Sequence, residues 1–249
     1  MSLVEPVPGE PAAVAEVGPD GERALVVADF HAGIEQALRA EGVSLDSRAR
    51  QRRERLLALV ARTDPDRVLF LGDLMHAIGD PGGAERGEIE VLLERLDERG
   101  VAATLVKGNH DGAIESWADL DVTAGAGVRL GSVGFAHGHT WPTPEVLDSD
   151  VVCVGHEHPA VRLEDEVGGS RVERVWLRGS LAGAAFAERE GGVRAGAELV
   201  VFPAFNELAG ATWVNVEGQE FLAPFLPEGL TDGEAYLLDG TRLGEYQTI

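Results

Sequence analysis

Aspartate, asparagine and histidine recur along this chain in short groups that suit a divalent-metal centre: Asp29-Phe30-His31, Gly72-Asp73, Gly108-Asn109-His110-Asp111, His137-Gly138-His139 and Gly155-His156-Glu157-His158. Each group follows an apolar run that reads as a β-strand, so all of them fall at strand ends. Two cations roughly 3.5–4 Å apart can bridge a hydroxide, neutralise a phosphate and stabilise both the attacking and the leaving oxygen of an in-line displacement. Holding them takes a bridging carboxylate. Asp73 suits that role, because each of its oxygens can serve one metal, while imidazole nitrogens and an amide oxygen fill other positions. Ligation rich in nitrogen and free of thiolate favours first-row metals over calcium. The single cysteine, Cys153, sits inside the apolar run Val151 to Val154, which excludes a structural zinc site built on thiolates. His76 and His139 have no place in the motif set and read first as ordinary core or surface histidines.

The elements that must position these groups alternate early and turn to strand later. Arg23 to Ala28 reads as a strand, Ile34 to Glu41 as a short helix and Ser47 to Arg62 as a longer amphipathic one. Val68 to Leu71 is the next strand. Gly87 to Arg99 carries apolar Ile89, Leu92, Leu93 and Leu96 at helical spacing and is stopped by Gly100. Ala102 to Val106, Val128 to Leu130, Val133 to Ala136, Val151 to Val154 and Arg174 to Leu177 read as strands. So do Glu198 to Phe202, Trp213 to Val216 and Tyr236 to Leu238, the last leading into an Asp239-Gly240 hairpin turn. Two sheets packed together with helices outside fit this order. Because the motifs span both halves, residues 21–249 are expected to form one domain, with the acidic segment 1–20 either part of it or flexible. Leu181 to Gly196 reads as a lid or a plain surface loop.

The motif set resembles the calcineurin-like metallophosphoesterase superfamily over roughly residues 23–160. That resemblance implies an α/β fold of two packed mixed β-sheets flanked by helices, a four-layer sandwich. It also implies that Asp29, His31, Asp73 and His158 hold one metal and Asp73, Asn109, His137 and His156 the other. His110 would then face the phosphate and assist the leaving oxygen, with Asp111 nearby. The implied reaction is hydrolysis of a phosphodiester by in-line attack of a metal-bridging hydroxide. Manganese is the first choice of metal, with iron, zinc, nickel and magnesium as alternatives.

A narrower resemblance rests on Val27 to Gly33, Ala136 to Pro142, Gly155 to Pro159, Phe202 to Asn206 and Tyr236 to Thr241. These look like archaeal phosphoesterases related to the SbcD nuclease and bacterial DNA-ligase-associated metallophosphoesterases. The implied function is a nuclease or phosphodiesterase linked to DNA repair, with a helicase or ligase as a conceivable partner. A phosphatase or cyclic-nucleotide phosphodiesterase acting on small molecules would use the same centre, and a scaffold that has lost catalysis is a third class.

Composition is a separate signal. Asp and Glu number 43 against 21 Lys and Arg, giving a formal net charge of -22, and Lys107 is the only lysine. This is the composition of a salt-adapted cytoplasmic protein, since screening within about 3 Å at 1 M salt offsets the self-repulsion. With 44% hydrophobic residues the chain has ample material for a core and does not read as disordered. Met1 to Asp20 lacks the basic start and apolar stretch of a signal peptide, and no run is long enough to span a membrane. A cytoplasmic location is expected.

Several residues bear on substrate. Arg48, Arg50, Arg52, Arg53, Arg55, Arg62 and Arg67 concentrate basic charge; nucleic-acid phosphates suit such a run. The plainer reading, preferred at this level, is a solvated helix face paired with Glu41, Asp46, Glu54, Asp64 and Asp66. Lys107 lies directly before Gly108 and is a candidate phosphate contact, as are His139, Arg178 and Asn206. Trp141 and Phe205 could offer stacking faces to bases, although aromatics more often belong to the core.

Overall fold

The computed structural model describes residues 2–18, 21–79, 81–165, 167–187 and 192–249. Its first sheet takes β1 (Val4–Pro6), β2 (Ala12–Glu16), β3 (Arg23–Val27), β4 (Arg67–Phe70), β5 (Ala102–Val106) and β6 (Asp121–Thr123) in sequence order. β3 to β6 run parallel, and β2 and β1 extend the sheet antiparallel. Three helices belong to this half: α1 (Ile34–Ala40), α2 (Ala49–Thr63) and α3 (Gly83–Asp97).

The second sheet is built from β7 (Val128–Leu130), β8 (Val133–Ala136), β9 (Val151–Val154), β10 (Pro159–Glu164), β11 (Ser170–Leu181), β12 (Glu198–Val201), β13 (Thr212–Trp213), β14 (Leu230–Leu237) and β15 (Arg242–Glu245). Its order is β13-β10-β11-β12-β9-β8-β7, with β14 pairing β11 and β15. β8, β9 and β12 are parallel, and the long β11 runs antiparallel to β10, β12 and β14. A single short helix, α4 (Pro144–Leu147), starts at Thr143, whose hydroxyl accepts from the Val146 N–H.

Period-two alternation sorts the strand residues into layers. Leu25 and Val27 pack with Val68, Phe70 and Leu105 under Leu56, Leu59, Ile89, Leu92 and Leu96 of α2 and α3. Their neighbours Ala24, Val26, Leu69 and Leu71 turn the other way, onto Phe135, Cys153, Trp176, Val200 and Phe202 of the second sheet. The outer face of that sheet, including Val152, Val154, Val175 and Leu199, is covered by α4, Phe186 and the chain around Phe225. The architecture is therefore the sandwich of two mixed sheets that the resemblance implied, with helices thick on one side and loops dominating the other.

Most expected elements stand within a residue or two of their places. Three differ informatively. The expected strand Trp213 to Val216 stops at Trp213, because the Asn215 side chain accepts from the Arg162 N–H and donates to its carbonyl, taking the place of a backbone partner. β11 is far longer than Arg174 to Leu177, continuing through an irregularity between Arg178 and Ser180. The N-terminal stretch supplies two strands, β1 and β2. The stretch Leu181 to Gly196 holds a 3-10 turn at Gly183–Phe186, and its portion 188–191 lies outside the described residues.

Candidate metal centre

The carboxyl ends of β3, β4 and β5 in one sheet and β8 and β9 in the other meet at one rim of the sandwich, where α/β sheets commonly carry their sites. Asp29 and His31 follow β3, Asp73 follows β4, and Asn109, His110 and Asp111 follow β5. His137 follows β8, and His156 and His158 follow β9. Backbone bonds tie these loops together: Asp29 N–H to the Gly72 carbonyl at 3.2 Å, His31 N–H to the Asp73 carbonyl at 2.9 Å, and Gly155 N–H to the His137 carbonyl at 2.8 Å.

The backbone is forced into rarely used conformations at these positions. Among the described residues, positive φ in non-glycine residues occurs at Asp29, His31, Asp73, His156 and His158, and otherwise only at Asp64 and Asp232. Such strain persists only where surrounding structure imposes it, and it gathers at functional sites. Two glycines make the crowding possible. A Cβ on Gly72 would collide with the His137 ring, and one on Gly108 with the Asp73 carboxylate.

Two groups of ligand atoms result. Asp29, His31 and His158 offer atoms within 4.8 Å of one another, and so do Asp73, His137 and His156. Asp73 links them: Oδ2 lies 3.9 Å from His31 Nε2 and Oδ1 lies 3.4 Å from His137 Nε2. Asn109 Oδ1 stands 3.3 Å from the same His137 nitrogen. Every residue of the expected ligand set is therefore gathered here, with Asp73 standing between the two groups.

The chemistry of the donors fits divalent cations. His137 Nδ1 donates to the Leu71 carbonyl at 2.9 Å and His158 Nδ1 to the Gly210 carbonyl at 2.8 Å, which turns Nε2 of each ring toward the centre as a ligand atom. His158 Nε2 is buried without a hydrogen-bond partner, although Asp29 Oδ1 is 3.2 Å away. Burial pushes the His31 and His156 imidazoles down to about 4, which keeps them neutral and able to ligate. His137 is equally desolvated, but hydrogen bonding and charge from Asp73, then charge from Asp29, raise it to about 9. Asp73 is lowered despite burial, through its hydrogen bond to His137 and the charge there. Without metal, a proton on His137 thus stands where a cation would.

All 7 histidines of the chain reach this rim. The structure corrects the expectation for His76 and His139. His76 Nδ1 lies 3.3 Å from His31 Nδ1, its ring stacks on His110 at 5.5 Å, and His31, His76 and His110 form a third group of ligand atoms. His139 packs against His137 and His156, with Nδ1 buried and unpartnered. The signal for His76 was its place three residues after Asp73, on the same loop. Its backbone N–H and that of Ala77 are held by the buried Glu85 of α3 at 2.6 and 2.9 Å.

His110 stands at the opening, its side chain 21% exposed, with Nε2 3.8 Å from Asp73 Oδ2. Its Nδ1 donates to the His76 carbonyl, which leaves Nε2 on the Asp73 side. Asp111 departs from expectation. It is fully buried and accepts from Met75 N–H at 3.0 Å and Gly108 N–H at 2.7 Å. Burial, then the charge of Asp73, raises it to about 6. Asp111 clamps the loop rather than facing a phosphate.

The remaining substrate candidates have protein partners of their own. Asn206 is buried and donates to the Phe30 and His31 carbonyls, so it supports a ligand loop. Lys107 pairs with Glu115 at 2.9 Å. Arg178 pairs with Glu198 at 2.7 Å and lines a cavity with Trp176 and Tyr236 that includes none of the ligand candidates. Phe205 stacks on Phe30 at 5.7 Å in the core, and Trp141 packs edge-on against Phe186. Of the expected arginine pairings only Arg50 with Glu54 forms. Arg52 is buried between Glu35 and Glu88, Arg67 meets Glu22, and Arg48 and Arg55 turn to Glu207.

Comparison with known proteins agrees with this centre. The model of the calcineurin-like phosphoesterase family matches residues 22–160, a span holding every candidate ligand. Among solved structures, the nuclease MPE of Pseudomonas putida is similar over 96% of this chain and 100% of its own, at 21% identity and a TM-score of 0.58. The E. coli phosphoesterase Yfce aligns over 57% of this chain and 73% of its own, at 23% identity and a TM-score of 0.35. No curated protein matches. A match over more than half the chain that contains the whole strand-end centre identifies the chain as a member of the calcineurin-like phosphoesterase family.

Proposed function

We propose that this phosphoesterase cleaves phosphodiester bonds in DNA, using two divalent cations, manganese first among them, in a salt-adapted cytoplasm. The observation that carries the metal part is Asp73, whose oxygens are divided between two histidine groups. Cations bound there would supply Lewis acidity, neutralising the phosphate and lowering the pKa of a water.

The chain's own residues do the rest. Asp29, His31 and His158 fix one position, and His137, His156 and Asn109 the other, with Asp73 common to both. His110, tethered through Nδ1 and open at Nε2, is placed to hold or deliver a proton at the leaving oxygen. His76 stacks behind it and fixes the ring plane.

DNA as substrate is supported by the fold shared with a nuclease along nearly the whole chain. It also agrees with the narrower SbcD-like resemblance, which makes a repair setting, with a helicase or ligase partner, the natural one. Cleavage of single-stranded DNA in molar salt with manganese, compared with bis-p-nitrophenyl phosphate and cyclic nucleotides, tests it. Turnover of the small esters alone would assign the centre to small-molecule phosphate chemistry.

A further inference from the structure

Beside the metal centre, three guanidinium groups converge on one exposed carboxylate. Arg55 Nη1 donates to Glu207 Oε1 at 3.0 Å, while Arg174 Nη2 stands 3.8 Å and Arg48 Nη1 3.9 Å from the same carboxylate, beyond hydrogen-bonding reach. Arg55 also bonds Glu10 at 2.7 Å. Three arginines thus meet here, with Glu207 and Glu10 as their anions and the charge of Glu173 also acting on Arg174, in a chain of net charge -22.

Two of the three cations are much more buried than the anion: Arg55 and Arg174 are 26% and 25% exposed, against 49% for Arg48 and 56% for Glu207. Arg55 lies over the Phe205 ring at 5.3 Å, and Arg174 donates to the Ala204 carbonyl at 2.8 Å. The proton on Arg174 is held less firmly than usual, through burial and then the charge of Arg55, which a further anion would relieve. A cavity of about 210 Å³ between α2 and the loop after Phe205 is lined by Arg48, Arg55 and Glu207, with Arg174 reaching Glu207 from outside its lining.

That loop also serves the metal centre. Asn206, which lines the cavity, ties the loop to the His31 carbonyl, and Gly210 accepts from His158 Nδ1. An anion bound at the arginines would therefore sit along the loop from the ligands Asp29, His31 and His158. Guanidinium forks suit the paired non-bridging oxygens of a phosphodiester.

We propose that Arg48, Arg55 and Arg174 form a subsite for a neighbouring internucleotide phosphate of a DNA strand whose scissile phosphate lies at the metals, with Glu207 occupying that place until the strand displaces it. This rests on the DNA-cleaving reading above. The test measures kcat/KM for single-stranded DNA relative to bis-p-nitrophenyl phosphate in wild type, Arg48→Gln, the double variant Arg48→Gln/Arg174→Gln and Glu207→Gln. Thermal midpoint and metal content are followed in each.

The ratio should fall about tenfold in the double variant, as for loss of a charged hydrogen bond, and rise in Glu207→Gln. The salt dependence of DNA binding should weaken in the arginine variants by about 0.7 in log-log slope for each phosphate no longer neutralised. An unchanged ratio in the arginine variants, or a lower one in Glu207→Gln, would overturn the subsite and leave the cluster a purely structural ion network. Arg48, the most exposed of the three, keeps the test valid if the double variant fails to fold. Wild type that turns over the small diester but neither binds nor cuts DNA would defeat the substrate reading itself, and is told apart because no variant is needed to see it.

Discussion

Asn206 Nδ2 lies 3.1 Å from the carbonyl oxygen of His31, a residue 175 positions earlier in the chain. With its 3.0 Å bond to Phe30, both amide hydrogens are committed to holding the first ligand loop. Asn206→Ala removes the side-chain partner of the Phe30 carbonyl and one of the two partners of the His31 carbonyl, which also accepts from the Ile34 N–H, at a cost of about 1–3 kcal/mol. The thermal midpoint and the metal affinity should fall together. A stability loss with metal affinity intact would show that the loop keeps its place without this strap.

Gly108→Ala should remove metal from both positions. Its Cβ would press on the Asp73 carboxylate and backbone N–H, and Asp73 serves both groups. Elemental analysis of the purified variant is expected to find little bound manganese. Full occupancy would mean that the loop yields without moving the carboxylate.

His110→Ala should retain metal and lose turnover by about 10²–10⁴-fold, the usual contribution of a general acid or base. Parallel loss of metal would instead make His110 a ligand, in the group it forms with His31 and His76.

Metal binding should release protons. His137 is raised to about 9, so near neutral pH a metal must displace its proton, and His158 is raised as well. In the metal-free protein their charged forms stabilise the fold fully below the unfolded value of about 6.5. That contribution is lost as pH rises toward 9. The thermal midpoint in chelator should therefore drop between pH 6.5 and 9, roughly the window between those two values, while metal affinity rises over the same range. A chelated protein whose midpoint climbs across that window would show that these rings are not protonated in its fold.

The strands that deliver ligands were legible because each is a short apolar run ending in a glycine or a motif residue: β5, β8 and β9 lie where the sequence places them. β1 carries Pro6 and β2 is mostly alanine, so neither announces itself as strand; pairing of β2 to β3 and of β1 to β2 makes them so. Motif order was enough to name the residues that meet at the rim. The places of Asp111 and Asn206 were not legible, because their residue types suit a phosphate as well as they suit a loop clamp, and burial and partners put both in loop clamps. His76 was underrated for the converse reason: nothing local shows that its ring meets His31 and His110.

If Asp73 joins two metal positions into one phosphodiesterase centre, its loss should silence both. Bound manganese and single-stranded DNA cleavage in molar salt, compared for wild type and Asp73→Asn, decide it. Two metals and cleavage are expected in the wild type, with both metals weakened and cleavage abolished in Asp73→Asn. Cleavage that survives in Asp73→Asn would contradict it.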